Sequence, residues 1–312
     1  MLGRALAERI ERAGERSRIF DLNPPDFEVR DMEYTQGDVT DARGMARAAK
    51  GCARIFHLAA AMPQAALDEQ GFRRINVGGV RNAADACIEN KIPTLIFSST
   101  IEIYGPQTEY PVPEDAPKLF TGPYSRNKLA AEELLLQYRD SHGLKVSFLR
   151  MPMIIGPGFY HEKSMIRLMR MVRRGRAVPL PAAPLPYHVV ASSDAAEAFW
   201  LAAQLPQADG EAFNVAAPDW PEVKQLFRDF LARVGSKSRV LPVPMPLMKG
   251  FVRFAMRVGR PLPMVDTPPE LLPFVLTGGA YDISKAAGLL GYDPQKTCLD
   301  CLEELYRLLK PR

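Results

Sequence analysis

An α/β fold built on a doubly wound parallel sheet is predicted by three features of this 312-residue sequence. In the first half, short apolar runs alternate with segments of helical period, which is the pattern of βαβ units. Right-handed crossovers between successive parallel strands would then stack helices on both faces of one sheet. After about residue 151 the texture changes: prolines crowd 179–186 and 242–246 and strand-like runs thin out, as expected of a smaller second portion.

Taken in order, residues 2–13 read as a helix closed by Gly14. Strands are expected near 17–21, 33–36, 54–59, 94–99 and 145–150, each a short run rich in β-branched or aromatic residues. Helical patterns fill the gaps near 41–50, 64–90 (with an interruption) and 124–141. No internal repeat or low-complexity tract interrupts this alternation.

Bulk composition narrows the function classes. Hydrophobic residues make up 47% and charged residues 24%, which describes a soluble globular chain. A formal charge of +4 is too modest to imply nucleic acid. No apolar run reaches bilayer-spanning length, and the opening residues do not read as a secretory signal. Four cysteines (Cys52, Cys87, Cys298, Cys301) suit a reducing, cytoplasmic setting. Cys298 and Cys301 form a CxxC, but no further Cys or His pair accompanies it, so buried thiols are expected and no metal site.

The chemistry concentrates in two runs, FSSTIEIYG at 97–105 and PYSRNKLAAEELL at 123–135. Tyr124 and Lys128 are four apart in a helical pattern, so they share one face. An ammonium beside a phenol stabilises the phenolate, which makes Tyr124 a usable general acid or base. Thr100, just past an apolar strand, can orient a substrate oxygen beside it, with Ser99 as the fallback if the register shifts by one. Asp21 ends the second expected strand position, where a carboxylate accepts hydrogen bonds from ribose hydroxyls and repels a 2′-phosphate. That favours NAD over NADP.

These runs, with GDVTD at 37–41, FHLAA at 56–60, INVGGVRN at 75–82, LRMPMIIGPG at 149–158, Asp194 in SDAAEA, FNVA at 213–216 and YDISKAAGLLGYDP at 281–294, resemble the extended short-chain dehydrogenase/reductase family, also called the NAD-dependent epimerase/dehydratase family. The resemblance implies a Rossmann-type domain over 1–152, a return of 188–204 to it, and a substrate-binding portion over 153–312. It implies catalysis by Thr100, Tyr124 and Lys128. It also implies NAD contacts from Gly3, Asp21, Asp38, Val39, Ala59, Ala60, Asn76, Ser98, Tyr124, Lys128 and Pro152. Asp38 reads equally well as a turn residue after Gly37, and His57 as a packed strand residue. The TPPELL to GYDP stretch (267–294) looks closer to the 3β-hydroxysteroid dehydrogenase branch. A homodimer through the two long helices is a family-level analogy.

The sequence departs from the family at its start. Members open with a strand and a GxxGxxG loop, whereas this chain opens MLGRALAERI and Gly3 matches only the third glycine. In the strand order 3-2-1-4-5-6 that strand is central, so an open gap is expected beside the second strand. The expectation is that Met1 is internal to a longer protein; a short form that binds NAD weakly is the competing reading.

The substrate half lacks a cation where nucleotide-sugar members hold the diphosphate: VPLPAAPLPYHVV at 178–190 has no Arg or Lys. A weakly charged small molecule is therefore expected. Two basic-apolar segments, SMIRLMRMVRRGR (164–176) and PLMKGFVRFAMRVGR (246–260), suit either a membrane-facing helix or a solvated roof over the pocket. The expected activity is hydride transfer between NAD and a secondary alcohol or ketone. Its alternatives are a sugar epimerase or dehydratase with transient oxidation, and a non-catalytic member.

Overall fold

The computed structural model describes residues 1–63, 65, 67–159, 163–258 and 276–309. The chain begins with α1 (Leu2–Arg12), β1 (Ser17–Asp21), β2 (Met32–Gln36), α2 (Ala42–Ala49) and β3 (Ile55–His57). A helical stretch follows as α3 (Glu69–Arg73), one π turn (Arg74–Gly78) and α4 (Gly79–Glu89), so the expected interruption is a π turn without a break. Then come β4 (Thr94–Thr100), α5 (Pro123–His142) and β5 (Lys145–Met151). Helix α5 starts on Pro123, whose fixed φ and missing N–H suit the first turn. It stops on Gly143, whose φ of 70° is the left-handed cap that glycine adopts without penalty.

The remaining elements are β6 (Met153–Ile155), α6 (Lys163–Arg173), β7 (Val178–Pro181), β8 (Val189–Ala191), α7 (Ser192–Gln204), β9 (Ala212–Asn214), α8 (Val223–Arg233), β10 (Val240–Val243), α9 (Met245–Val258), α10 (Ser284–Leu290) and α11 (Cys298–Leu308). Every strand ladder is parallel: β1 with β2, β3-β4-β5-β9, β6 with β8, and β7 with β10. Among the described residues no strand pairs between β1 and β3, the gap expected beside this strand from the sequence. Residues 259–275, which hold the end of the second basic-apolar segment and most of TPPELLPFVL, lie outside the described residues.

Two apolar layers sandwich the four-stranded sheet. On one face α1 and α7 pack through Leu6, Ile10 and Phe199 against Ile96 and Leu149. Arg9 reinforces that pair, donating to Glu197 while its guanidinium lies 4.7 Å from the Trp200 ring centre. On the other face Val80, Cys87 and Leu135 from α4 and α5 cover Leu95, Phe97 and Phe148. A third core joins β7, β8, α8 and α11 and buries Cys298 and Cys301 completely. Burial pushes the Cys301 thiol up to about 12 and raises Cys298 as well, so both are packed, protonated thiols at neutral pH.

Candidate active site

Parallel strands in an open sheet deliver their C-terminal ends to one rim, and ligands bind there. That rim opens onto a cavity of about 1810 Å³, whose wall includes Asp21 at the end of β1, Ala59 and Ala60 after β3, and Ser98 and Thr100 at the end of β4. Tyr124 and Lys128 enter from the first turns of α5, and Pro152 from the end of β5. Its volume exceeds the roughly 300–1,000 Å³ usual for one small ligand, leaving room for cofactor and substrate together.

Of the residues expected at the site, Gly3, Asp21, Val39, Ala59, Ala60, Ser98, Thr100, Tyr124, Lys128 and Pro152 share this wall. Asp38 and Asn76 do not, and each holds a loop instead. Asp38 Oδ1 accepts the Thr40 N–H at 2.8 Å, closing the turn after Gly37. Asn76 Oδ1 accepts the Ala61 N–H at 2.7 Å while its amide donates to the Ala61 carbonyl at 3.0 Å. It thereby fixes the backbone beside Ala60.

Lys128 is buried, and its Nζ donates to the Ser98 carbonyl at 2.7 Å. It lies 5.8 Å from the Tyr124 ring centre and 4.7 Å from that of Phe97. Burial lowers its pKa to about 8, against the opposing pull of the Glu132 and Glu102 carboxylates. Thr100 Oγ1 accepts the Glu102 N–H at 3.2 Å, and its own proton can turn toward the cavity. Register also separates the two candidate hydroxyls. Successive residues of a strand face opposite ways, and Ser99 Oγ donates to Glu132 at 2.5 Å. Both residues border the cavity, but the Ser99 hydroxyl proton is already engaged by Glu132, which favours Thr100 as the hydroxyl that faces a ligand.

Glu132 belongs to a buried network that the sequence reading did not identify. It accepts from Arg150 Nε at 3.1 Å and Nη2 at 2.7 Å, a bidentate pair. Arg150 Nη1 donates to the Tyr104 hydroxyl at 3.0 Å, which in turn donates to Asn214 Oδ1 at 2.7 Å. The network ties α5 to β4, β5 and β9 directly behind Thr100 and Lys128. One signal was available: Glu132 follows Lys128 by four on the same buried face of α5. His57 is a second finding. It is buried on the cavity wall, its Nε2 has no hydrogen-bond partner, and burial with the Lys128 charge lowers its pKa to about 3.

Asp194 lies off the cavity wall among the described residues. Its Oδ2 accepts the backbone N–H groups of Gln295 and Lys296 at 3.1 and 3.0 Å, clamping the segment before α11 onto α7.

The cavity carries the features a dinucleotide needs. The N-terminal turn of α1 lines it without a capping side chain or an acidic residue, so its free N–H groups suit an anion such as a diphosphate. Asp21, Tyr124 and Lys128 sit on the same wall. Fold and site thus define a Rossmann-type nucleotide-cofactor enzyme.

The model of the NAD dependent epimerase/dehydratase family matches residues 1–216, and the chain belongs to that family. It is an NAD-dependent enzyme of the extended short-chain dehydrogenase/reductase type. Short-chain dehydrogenase/reductase family 42E member 1 of Xenopus laevis is 26% identical over 330 residues, covering 98% of this chain and 85% of that protein. The dTDP-glucose 4,6-dehydratase of Streptomyces griseus is 33% identical over 149 residues, 47% of this chain and 45% of that one. Among solved structures, UDP-glucose 4-epimerase of Thermotoga maritima with UDP-glucose superimposes with a TM-score of 0.79 at 21% identity, covering 99% and 95% of the two chains. A short-chain dehydrogenase/reductase superfamily protein from Agrobacterium tumefaciens with bound NAD gives 0.76 at 21% identity, covering 99% and 94%.

Proposed function

We propose that this protein is a dehydrogenase that interconverts a weakly charged secondary alcohol and its ketone. The observation that carries the reading is the convergence of Thr100, Tyr124 and Lys128 on the wall that Asp21, Ala59 and Ser98 share. Bound NAD supplies a hydride acceptor or donor. Tyr124 takes the hydroxyl proton during oxidation and returns it during reduction. The Lys128 ammonium, anchored on the Ser98 carbonyl, favours negative charge on the Tyr124 oxygen. Thr100 donates its hydroxyl proton to the reacting oxygen and so orients it. Gly3 and the other first-turn residues of α1 hold the diphosphate; Asp21 and Val39 hold the adenosine half; Ala59, Ala60, Ser98 and Pro152 pack along the rest.

The substrate side is largely apolar, although Arg167 of α6 also reaches the wall beside Met165 and Leu168. Segment 178–190 supplies Pro179, Leu180, Pro181, Leu185 and Tyr187 to the cavity and contains no Lys or Arg. Replacing Tyr124 by Phe removes only the hydroxyl. Turnover should fall at least roughly 10²-fold, with the melting temperature and NAD affinity held within error. Retained turnover discards the mechanism.

A second reading, epimerase or dehydratase with transient oxidation, uses the same three residues and is favoured by the dTDP-glucose 4,6-dehydratase relative. Net NADH formation separates the two, since an epimerase returns its hydride. A cytosolic dimer through α4 and α5 belongs to this proposal by family analogy alone.

A further inference from the structure

The charge of this chain is unevenly distributed. Residues 163–176 and 236–258 hold eleven Lys and Arg and no Asp or Glu, against a whole-chain balance of +4, so the rest of the molecule carries a net charge of −7. An ordinary soluble surface intersperses the two signs.

The fold brings the two segments together. β7 and β10 pair, with Val178 opposite Val240 and Pro179 opposite Leu241. Ser236 and Ser238 both donate to the Val172 carbonyl at the end of α6, at 2.8 and 3.1 Å. On these elements and on α9, which follows β10 directly, Arg170, Arg174, Arg176, Lys237, Arg239 and Lys249 are all exposed. None of the six makes a salt bridge among the described residues, although Arg233 just before them pairs with Asp300 and Glu303.

Large apolar side chains stand among these cations. Leu241 is 53% exposed, Leu247 65% and Phe254 58%. Leu247 and Phe254 are seven apart on α9 and share one stripe of that helix. The other side of α6 gives Met165, Leu168 and Met171 to the cavity wall, so a single helix separates this surface from the site.

We propose that the α6, β10 and α9 surface docks onto an anionic lipid bilayer, cations against the headgroups and Leu241, Leu247 and Phe254 in the acyl boundary. A second copy of the chain does not suit it, because an isologous contact would set like charges together. A nucleic acid would take the cations but leave the exposed leucines without a partner. Among the described residues no helix is long and apolar enough to cross a membrane, so the contact is peripheral.

The test is co-sedimentation of the full chain with vesicles of phosphatidylcholine alone and of phosphatidylcholine with phosphatidylserine, at low and high salt. Binding should require phosphatidylserine and fall at least tenfold at high salt. The double variant Leu247→Glu, Phe254→Glu should lose binding at least tenfold with an unchanged melting temperature. The double variant Arg174→Glu, Arg176→Glu reports the electrostatic half independently. The proposal is overturned by equal binding to both vesicle types, by binding to neither, or by duplex DNA competing fully while the Leu247/Phe254 variant binds vesicles normally.

Discussion

Ser99 and Thr100 show how one residue of register assigns two similar hydroxyls to different work. Both border the cavity, but Ser99 Oγ donates to Glu132 of α5, whereas the Thr100 hydroxyl proton can turn toward a ligand. Ser99→Ala should therefore cost stability, about 1–3 kcal/mol for the carboxylate left short of a donor, and leave the Michaelis constant nearly unchanged. Thr100→Val should do the reverse, lowering turnover roughly 10²-fold while shifting the melting temperature little, and Thr100→Ser should recover most of the rate. Paired chemical melts and steady-state kinetics separate the outcomes, and equal effects from both variants would contradict the register argument. Tyr124 and Lys128 were legible in the sequence because their four-residue spacing encodes a shared helix face, and Thr100 because it closes an apolar strand run. Glu132 and Arg150 were not, because their partners lie 18 residues apart in sequence and pair only once β5 is laid against α5.

At the scale of elements, hydrophobic period and punctuation foretold β1, β2, α2, β4, α5 and β5 to within a few residues. The boundary residues explain the accuracy: Gly143 stops α5 and Gly14 follows α1, and their positive φ values of 70° and 74° are legible in the residue type itself. The short strands β6, β8 and β9 were less legible, since three-residue ladders leave almost no alternation to read. The Asp194 clamp joins α7 to the approach to α11 through two backbone N–H groups. Asp194→Ala should destabilise by about 1–3 kcal/mol and speed amide exchange at Gln295 and Lys296. Asp194→Asn, which keeps an acceptor oxygen, should lose less. Unchanged exchange at both amides in the alanine variant would mean that the clamp holds nothing.

At the scale of the whole molecule, two buried histidines contribute to the behaviour in acid. His188 is fixed in its neutral form, accepting the Tyr281 N–H at Nδ1 (3.1 Å) and donating from Nε2 to the Ala217 carbonyl (2.8 Å). Burial lowers its pKa from the ordinary 6.5, and lowers that of His57 to about 3. Below pH 6.5 the unfolded chain takes up protons that the folded chain refuses. The stability these sites contribute is complete above pH 6.5 and is lost progressively as pH falls toward 3. Each contributes a slope of up to about 1.4 kcal/mol per pH unit. Denaturation midpoints should decline across that window, and His57→Asn should flatten the decline; a midpoint independent of pH between 6.5 and 4 would contradict it.

The open gap beside β1 has a consequence for how the molecule breathes. Among the described residues β1 and β2 form a ladder with one another and with no other strand, and side chains such as Phe20, together with the Arg18 contact to the Ala48 carbonyl at 2.7 Å, tie them to the rest. The four-stranded ladder from β3 to β9 shares no backbone bond with them. Such a pair can open as its own cooperative unit, below the free energy of global unfolding. In a chain of this sequence, amides of β1 should exchange faster than those of β4, which is bonded on both sides. The proposed ribose contact at Asp21 would then rest on a less protected strand than the proposed catalytic Thr100 at the end of β4.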